Sequence, residues 1–339
     1  MRNETRLKYN DFVETIAQLS GVQSATAEFT VEPSVQQKLE TIIQASAEFL
    51  TKINVQEVIA QEGEKVGVGI SRPTASRTDT SQREREPVDI SQLTANRYRC
   101  EQTNYDTAIP YAKLDAWAAH PDFQIRLRDS IARRQALDRI LIGFHGTHVA
   151  AQTSITQFPL LQDVNKGWLQ QYRDNAPERV MSEVEENSGK IVVGKDGDYE
   201  NLDSLVADGV ENLIDEWHVD GANLIAICGR GILHDKYFPI LNQSNENSEK
   251  LAGQILVSQK ILGELPAIRV PGFPRNTILV TAFSNLSIYF QRSARRRSLI
   301  DNPKRNRVEN FESSNDAFVV EDYGCGCLLE NIEIKDNKA

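Results

Sequence analysis

His145-Gly-Thr-His148 sets two imidazoles three residues apart, a spacing that could begin a metal site. A structural zinc site needs four ligands drawn from Cys, His and carboxylates. No Glu lies between these histidines and no nearby Cys completes a set, so a polar loop after a helix is expected. Cys325-Gly-Cys327 is too tight for a zinc knuckle and has no second cysteine pair; buried thiols beside a turn are expected, as free Cys is often buried. Gly229-Arg230-Gly231 lies between a strand-like and a helix-like run, where phosphate loops occur. It lacks both GxGxxG and the Walker lysine, so it reads as a tight turn. Asp196-Gly-Asp198 lacks the further oxygen ligands and closing Glu of a calcium loop. Neither a GxSxG elbow nor an HExxH helix occurs. The expectation is therefore no catalytic residue, no metal and no cofactor.

Two charge clusters remain. Arg83-Glu84-Arg85-Glu86 and Arg295-Arg296-Arg297 read as solvated faces, as subunit contacts, or as nucleic-acid contacts. Mixed signs at 83–86 suit a subunit contact, where charges fix register more than affinity.

The totals bound the options. The chain has 339 residues and a net charge of -10, with 40% hydrophobic and 25% charged residues, enough for a real core. The acidic balance argues against a general nucleic-acid binder, which carries a basic surface. Four cysteines are too few for a disulfide-built fold. Met1–Tyr9 is charged, without the apolar core of a signal peptide, and no window approaches the ~20 apolar residues of a membrane span. A reducing cytosol and no membrane partner are expected.

The elements that must carry these residues follow from periodicity. Tyr9, Phe12, Val13, Ile16 and Leu19 predict a short helix stopped at Ser20-Gly21, a tail piece tethered to the next helix. Ser34 and Gln37 have capping-box spacing, and Val35, Leu39, Ile42, Ile43, Phe49, Leu50 and Ile53 predict one helix over 34–53. Residues 54–116 change character: Val66, Val68 and Ile70 alternate, as do Tyr98, Cys100 and Gln102, then Tyr105, Thr107, Ile109 and Tyr111 after a slip of one residue. Between the runs, Ser71–Gln92 has almost nothing to bury. A lone two-stranded ribbon is marginal in water, so something must cover it, and a neighbouring subunit is the economical candidate.

A spine helix is predicted over Asp122–Gly143, ~33 Å long, with Arg126, Arg128, Arg133, Arg134 and Arg139 as a cationic flank. Further helices are expected at Gln162–Arg173, Leu202–Trp217 and Ile232–Leu241, a loop or small hairpin at Ser182–Asp198, and a buried strand at Leu224–Cys228. Leu286, Ile288 and Phe290, Phe318 and Val320, and Ile332 and Ile334 are expected to return as strands to the sheet begun earlier.

Several stretches, in order along nearly the whole chain, carry a resemblance: MRNETRLKYNDFVETIAQLSGV, FTVEPSVQQKLE, GEKVGVGI, DFQIRLRDSIARRQALDRILIGFHGT, LLQDVNKGWLQQYRDNAPERVM, GRGILHDKYFPILN, NSEKLAGQILVSQK, LPAIRVP and RVENFESSNDAFVVEDYGCGCLLE. The sequence resembles major capsid proteins of tailed phages, of the peduovirus-type temperate myophage branch. The resemblance implies an α+β, Hong Kong 97-like capsid fold. It implies an N-terminal segment at 1–29 that a maturation protease removes near Phe29-Thr30, an arm helix at 30–53 and an extended β-hairpin loop at 54–116. It also implies a peripheral domain at 117–159 and 276–339 around an axial domain at 160–275. Implied partners are further copies in hexamers and pentamers, a scaffolding protein, the protease, a portal protein and packaged double-stranded DNA. The implied setting is a virion capsid assembled in the host cytoplasm. The stretch before Leu160 is shortened relative to the family, and no lysine–asparagine crosslink is implied. The competing classes are a cytosolic α/β enzyme built on 220–275, which would need a nucleophile–base pair, and a DNA-associated structural protein acting through the arginine clusters.

Overall fold

The computed structural model describes residues 1–65, 75, 77–86, 97–118, 120, 122–220, 223–229, 231–232 and 260–335. The alternation at Val66–Ile70, half of Ser71–Gln92, Arg230, and the helix expected at Ile232–Leu241 (beyond Ile232) lie outside the described residues.

The chain opens with helix α1 (Asn3–Leu19), which buries Tyr9, Phe12 and Ile16 at the predicted steps and stops at Gly21, φ +64°. Strand β1 (Phe29–Thr30) leads into α2 (Pro33–Ala45), started by Pro33 in its first turn. Glu32 is the cap residue, and the expected capping box at Ser34 is not formed. The single helix expected over 34–53 is broken. The Ser46 hydroxyl bonds the Ile43 carbonyl at 2.7 Å and Ala47 is extended, so α3 (Glu48–Lys52) swings Phe49 and Leu50 inward.

The stretch 54–116 is divided. Its ends are strands β2 (Asn54–Val58), β5 (Glu101–Asn104) and β6 (Thr107–Pro110) of the large sheet, while β3 (Glu62–Glu64) and β4 (Arg97–Arg99) pair as a hairpin base. That base has its own cover: Tyr98 and Cys100 pack with Val58, Tyr289, Ala317 and Val319. The one-residue slip falls before Gln102, which is exposed, so Thr103 and Tyr105 continue the buried face. Tyr111 opens α4 (Tyr111–Trp117) and does not extend a strand.

The spine is α5 (Phe123–His145), 23 residues and ~35 Å long. Its flank is less cationic than expected. Arg126, Arg128 and Arg134 pair with Asp122, Asp129 and Asp138, and Arg139 points inward. Helix α6 begins only at Trp168 (Trp168–Asn175), because Asp163 and Asn165 are buried on non-helical partners: Asp163 accepts from the Ser154 N–H at 2.6 Å, and the Asn165 amide donates to the Asp316 carbonyl at 2.9 Å. Gly167 permits a close backbone approach there, since a Cβ would strike the carbonyls of Ile142 and Gly143.

The remaining described elements are β7 (Val180–Met181), β8 (Ile191–Val193), α7 (Leu202–Leu213), α8 (Glu216–Val219), β9 (Leu224–Cys228), β10 (Ile261–Leu262), β11 (Leu265–Arg269), β12 (Ile278–Ala282), β13 (Leu286–Gln291), β14 (Arg296–Asn302), β15 (Arg307–Val320), β16 (Gly326–Leu329) and β17 (Ile332–Ile334). The helix expected over 202–217 divides at extended Ile214, because the Asp215 N–H bonds the Gly324 carbonyl at 3.0 Å. Strand β8 sits in what was read as loop or hairpin, paired in parallel with distant β17.

Among the described residues two large mixed sheets result, beside the two-stranded pairs β3-β4 and β8-β17. The first has the order β1-β14-β15-β13-β2, with β5 and β6 also on β15; the second has the order β10-β11-β9-β12-β16-β7. The strands at Leu286–Gln291 and Arg307–Val320 do return to the early sheet, as β13 pairs in parallel with β2 and antiparallel with β15, whereas Ile332–Ile334 pairs with β8 outside it. One apolar cluster spans both, joining Ile43, Phe49, Ala136, Ile140, Phe144, Trp168 and Ile288 to Ile227, Leu279 and Leu328. A second cluster lies where α7 covers the smaller sheet. Overpacking predicts that Gly167→Ala lowers stability by about 3 kcal/mol or more, read as the urea midpoint; an unchanged midpoint would mean that α5 and α6 do not cross this closely.

Candidate functional site

Glu40 of α2 lies four residues after Gln36 and three before Ile43, on the buried face of its helix. On β15, Asn310, Glu312, Ser314 and Asp316 alternate with outward residues and are all buried. Arg139 of α5, Arg295 just before β14, and Arg297 complete a compartment holding three guanidinium groups and three carboxylates.

The geometry pairs each of them. Arg139 forks between two carboxylates: it donates to Asp316 at 3.1 Å from both Nε and Nη2, and it reaches both Glu40 oxygens. Arg295 donates from Nε to Glu312 at 2.7 Å, from Nη2 to the Gln135 side-chain Oε1 at 2.7 Å, and from Nη1 to Glu40. Arg297 donates to Asn310 Oδ1 at 2.9 Å and lies 4.0 Å from Glu312. The Tyr105 and Ser314 hydroxyls donate to Asp316 at 3.1 and 2.7 Å. Arg139, Arg295, Glu40, Glu312 and Asp316 are each at most 4% exposed. The Gln135 amide nitrogen is left without a partner among the described residues.

Burial alone would push both glutamates up. Arg295 and Arg297 outweigh it at Glu312 and hold that carboxyl at about 2; Arg139 and Arg295 hold Glu40 below its ordinary value. Both folded values lie below the unfolded ones, so their stabilisation is complete above the ordinary glutamate range and is lost as pH falls through the folded values.

None of the sequence-level chemical candidates joins this compartment. His145 meets the Gly272 carbonyl at 2.5 Å, and His148 meets the Thr147 hydroxyl at 2.9 Å. Cys325 and Cys327 are free and buried; burial pushes the Cys327 thiol up to about 12, so it is not a thiolate at neutral pH. Asp196 and Asp198 form a turn in which Asp198 accepts from the Val192 N–H. Gly229 lies against the backbone of Pro274 and Arg275. No group of metal-ligating side chains occurs among the described residues.

The arginine clusters separate. Arg83, Glu84, Arg85 and Glu86 are exposed and form no ion pair among the described residues. Arg295 cannot be a subunit contact: it is 1% exposed, and its guanidinium is consumed within the chain. Arg297 is tied to Asn310 in the same compartment. Only Arg296 stays outside, 3.9 Å from Glu28. Phe29 and Thr30 pair in β1 with Arg297 and Arg296, and Phe29 is buried.

Glu40, Gln135, Glu312 and Asp316 were missed from sequence. Their signal was present as polar residues at core positions: Gln36 and Glu40 on the apolar stripe of α2, and four polar side chains at period two in β15. That period reads as a solvent face until three arginines face it.

The fold matches a chain of a satellite phage P4 procapsid that includes size determination (Sid) protein, with TM-score 0.83, 46% identity and 99% of both chains covered. A chain from the capsid of a native GTA particle shares the fold at 15% identity, with TM-score 0.50 over 85% of this chain and 91% of that one. This two-sheet fold with its spine helix is that of a phage capsid subunit. Residues 8–332 match the model of the phage major capsid protein, P2 family, and a capsid protein of Escherichia phage P2 is 48% identical over 99% of this chain and 96% of its own length. The chain belongs to the P2 family of phage major capsid proteins.

Removing one partner of a buried pair costs ~3–5 kcal/mol. Glu40→Gln is expected to lower unfolding free energy by about that much at pH 7. The deficit should shrink as pH falls below the ordinary glutamate range, where the wild type also loses its carboxylates. A pH-independent difference in urea titrations would contradict the ionised state assigned to Glu40.

Proposed function

We propose that this chain forms the hexamers and pentamers of an icosahedral phage head around double-stranded DNA, and that it acts by association without catalysis. The family match across residues 8–332 carries the reading. The close fit to a procapsid chain supports it. A scaffolding protein, a maturation protease cutting near Phe29-Thr30 and a portal protein are the partners this role requires. No described helix is long and apolar enough to cross a membrane.

Within that reading the hairpin that starts at β3 and ends at β4 lies across an adjacent subunit and presents Arg83–Glu86 to it. The exposure of these four charged residues supports this role. The segment 160–275 meets its copies at capsomer centres as the axial domain, with the peripheral domain formed by 117–159 and 276–339. The six-stranded sheet draws β7, β9, β10 and β11 from 160–275 and β12 and β16 from 276–339, so the two parts would share it.

Negative-stain imaging of the chain expressed with its scaffold should show closed particles of uniform diameter; monomers under all assembly conditions would overturn the reading. Deleting Ser71–Gln92 should leave the far-ultraviolet circular dichroism and urea midpoint near wild type and reduce closed particles at least tenfold. Normal particle yield from the deletion would contradict the role given to the hairpin.

A further inference from the structure

Residues 146–162, seventeen in a row, contain no Asp, Glu, Lys or Arg, although 25% of the chain is charged and about four such residues would fall there at that average. The segment leaves the C-terminal end of α5 and returns shortly before α6. Ten of its residues are exposed. They include Val149, Ile155 and Leu160, at 46%, 66% and 40% exposure. Elsewhere, exposed Leu7 lies between Arg6 and Lys8, exposed Val184 between Glu183 and Glu185, and exposed Ile300 next to Asp301.

The loop has a fixed frame. At its neck the Thr147 N–H donates to the Gln162 carbonyl at 2.7 Å, and the Gly167 N–H to the Gly146 carbonyl at 3.0 Å. Buried Asp163 accepts from the Ser154 N–H at 2.6 Å through its carboxylate and from the Ala150 N–H at 2.9 Å through its carbonyl. The Phe158 N–H donates to the Ser154 carbonyl at 2.8 Å, and the Phe158 ring meets the His148 ring edge-on with centroids 5.4 Å apart. Leu161 is held at φ +61°, a conformation that bulky side chains rarely adopt and that persists only where the surroundings over-determine it. This is a compact loop with its ends tied together, and a contact made through it does not have to order it first.

The composition says what it meets. When a segment packs against its own copy across a two-fold, residues near the axis face themselves. A charge there would face a like charge, whereas neutral and apolar side chains meet no such repulsion. The net charge of -10 makes copies of the chain repel one another, and a charge-free apolar surface is where two of them approach at least electrostatic cost. We propose that residues 146–162 form a self-contact, in which the loop of one subunit packs against the same loop of a second copy of this chain, with Ile155 near the two-fold that relates them. The proposal rests on the shell reading, which brings the copies together. Ten exposed residues on each side fall short of the ~20–30 a side of a stable pairwise interface. The contact therefore forms inside a shell, where other contacts hold the copies, and does not dimerise free subunits.

The test uses the full chain expressed with its scaffold. Ile155→Asp and Ile155→Lys each set like charges against one another across the two-fold. Each should keep the circular dichroism and urea midpoint of the wild type, because Ile155 is largely exposed, and each should reduce closed particles at least tenfold. An equimolar mixture of the two variants should restore at least half the wild-type yield, since opposite charges then meet. Ile155→Cys should give disulfide-linked pairs on mild oxidation of assembled particles and none from unassembled subunits, while the wild type, whose cysteines are buried, should give none in either state. The cysteine arm decides the matter by itself if a charged variant folds poorly. Wild-type particle yield from either charged variant, or a mixture no better than its parts, would overturn the self-contact. So would an Ile155→Cys variant that reacts with a maleimide in intact particles yet forms no linked pairs. Closed wild-type particles alongside any of these failures would remove only the self-contact, whereas a wild type that forms no particles would remove the shell reading beneath it.

Discussion

Three arginines and three carboxylates share one dry compartment, and much of the architecture follows from the need to pair each of them. An unpaired buried charge costs several kcal/mol, whereas a fully paired one roughly breaks even against apolar packing. Such a network therefore adds little to total stability and much to the penalty for any other arrangement. It acts here as a registration device. Glu40 comes from α2, Arg139 and Gln135 from α5, Arg295 from the edge of β14, and Glu312 and Asp316 from β15. None of these elements can slide by one residue without stranding a charge.

The same compartment separates the N-terminal region into two parts of different permanence. Helix α2 supplies a carboxylate that two arginines share, so it belongs to the body. Helix α1 contributes apolar side chains and a partly exposed Arg6–Asp301 pair, so it rests on the body. The expected junction, Phe29-Thr30, lies on the edge strand between these parts, where β1 is paired to β14 on one side only. The boundary between the two parts falls where buried ion pairing begins.

Apolar periodicity made the long elements legible. The spine helix, α1, and the strands at Leu224–Cys228 and Leu286–Gln291 stand where the spacing put them. Element breaks were not legible. Ser46 ends α2 through its hydroxyl, and Asp163 and Asn165 delay α6, because their partners lie far away in sequence. The site was read least well, and for the same reason. Arg295-Arg296-Arg297 looked like one exposed patch, yet strand alternation sends its first and third members inward and only the second outward. Asn310, Glu312, Ser314 and Asp316 drew no reading, because polarity alone does not tell a wet face from a paired one. The family resemblance, by contrast, rests on residue identity over the whole length and was not affected by these local ambiguities.

Native-state hydrogen exchange in sub-denaturing urea tests the registration role most directly. The account predicts that slowly exchanging amides of α2, α5 and β15, such as those of Ile43, Ile140 and Phe318, converge on a single opening with a common free energy, while α1 opens at a lower one. If α2 opened on its own at low denaturant while α5 and β15 stayed protected, the compartment would not bind these elements into one unit, and the account would be wrong at its centre.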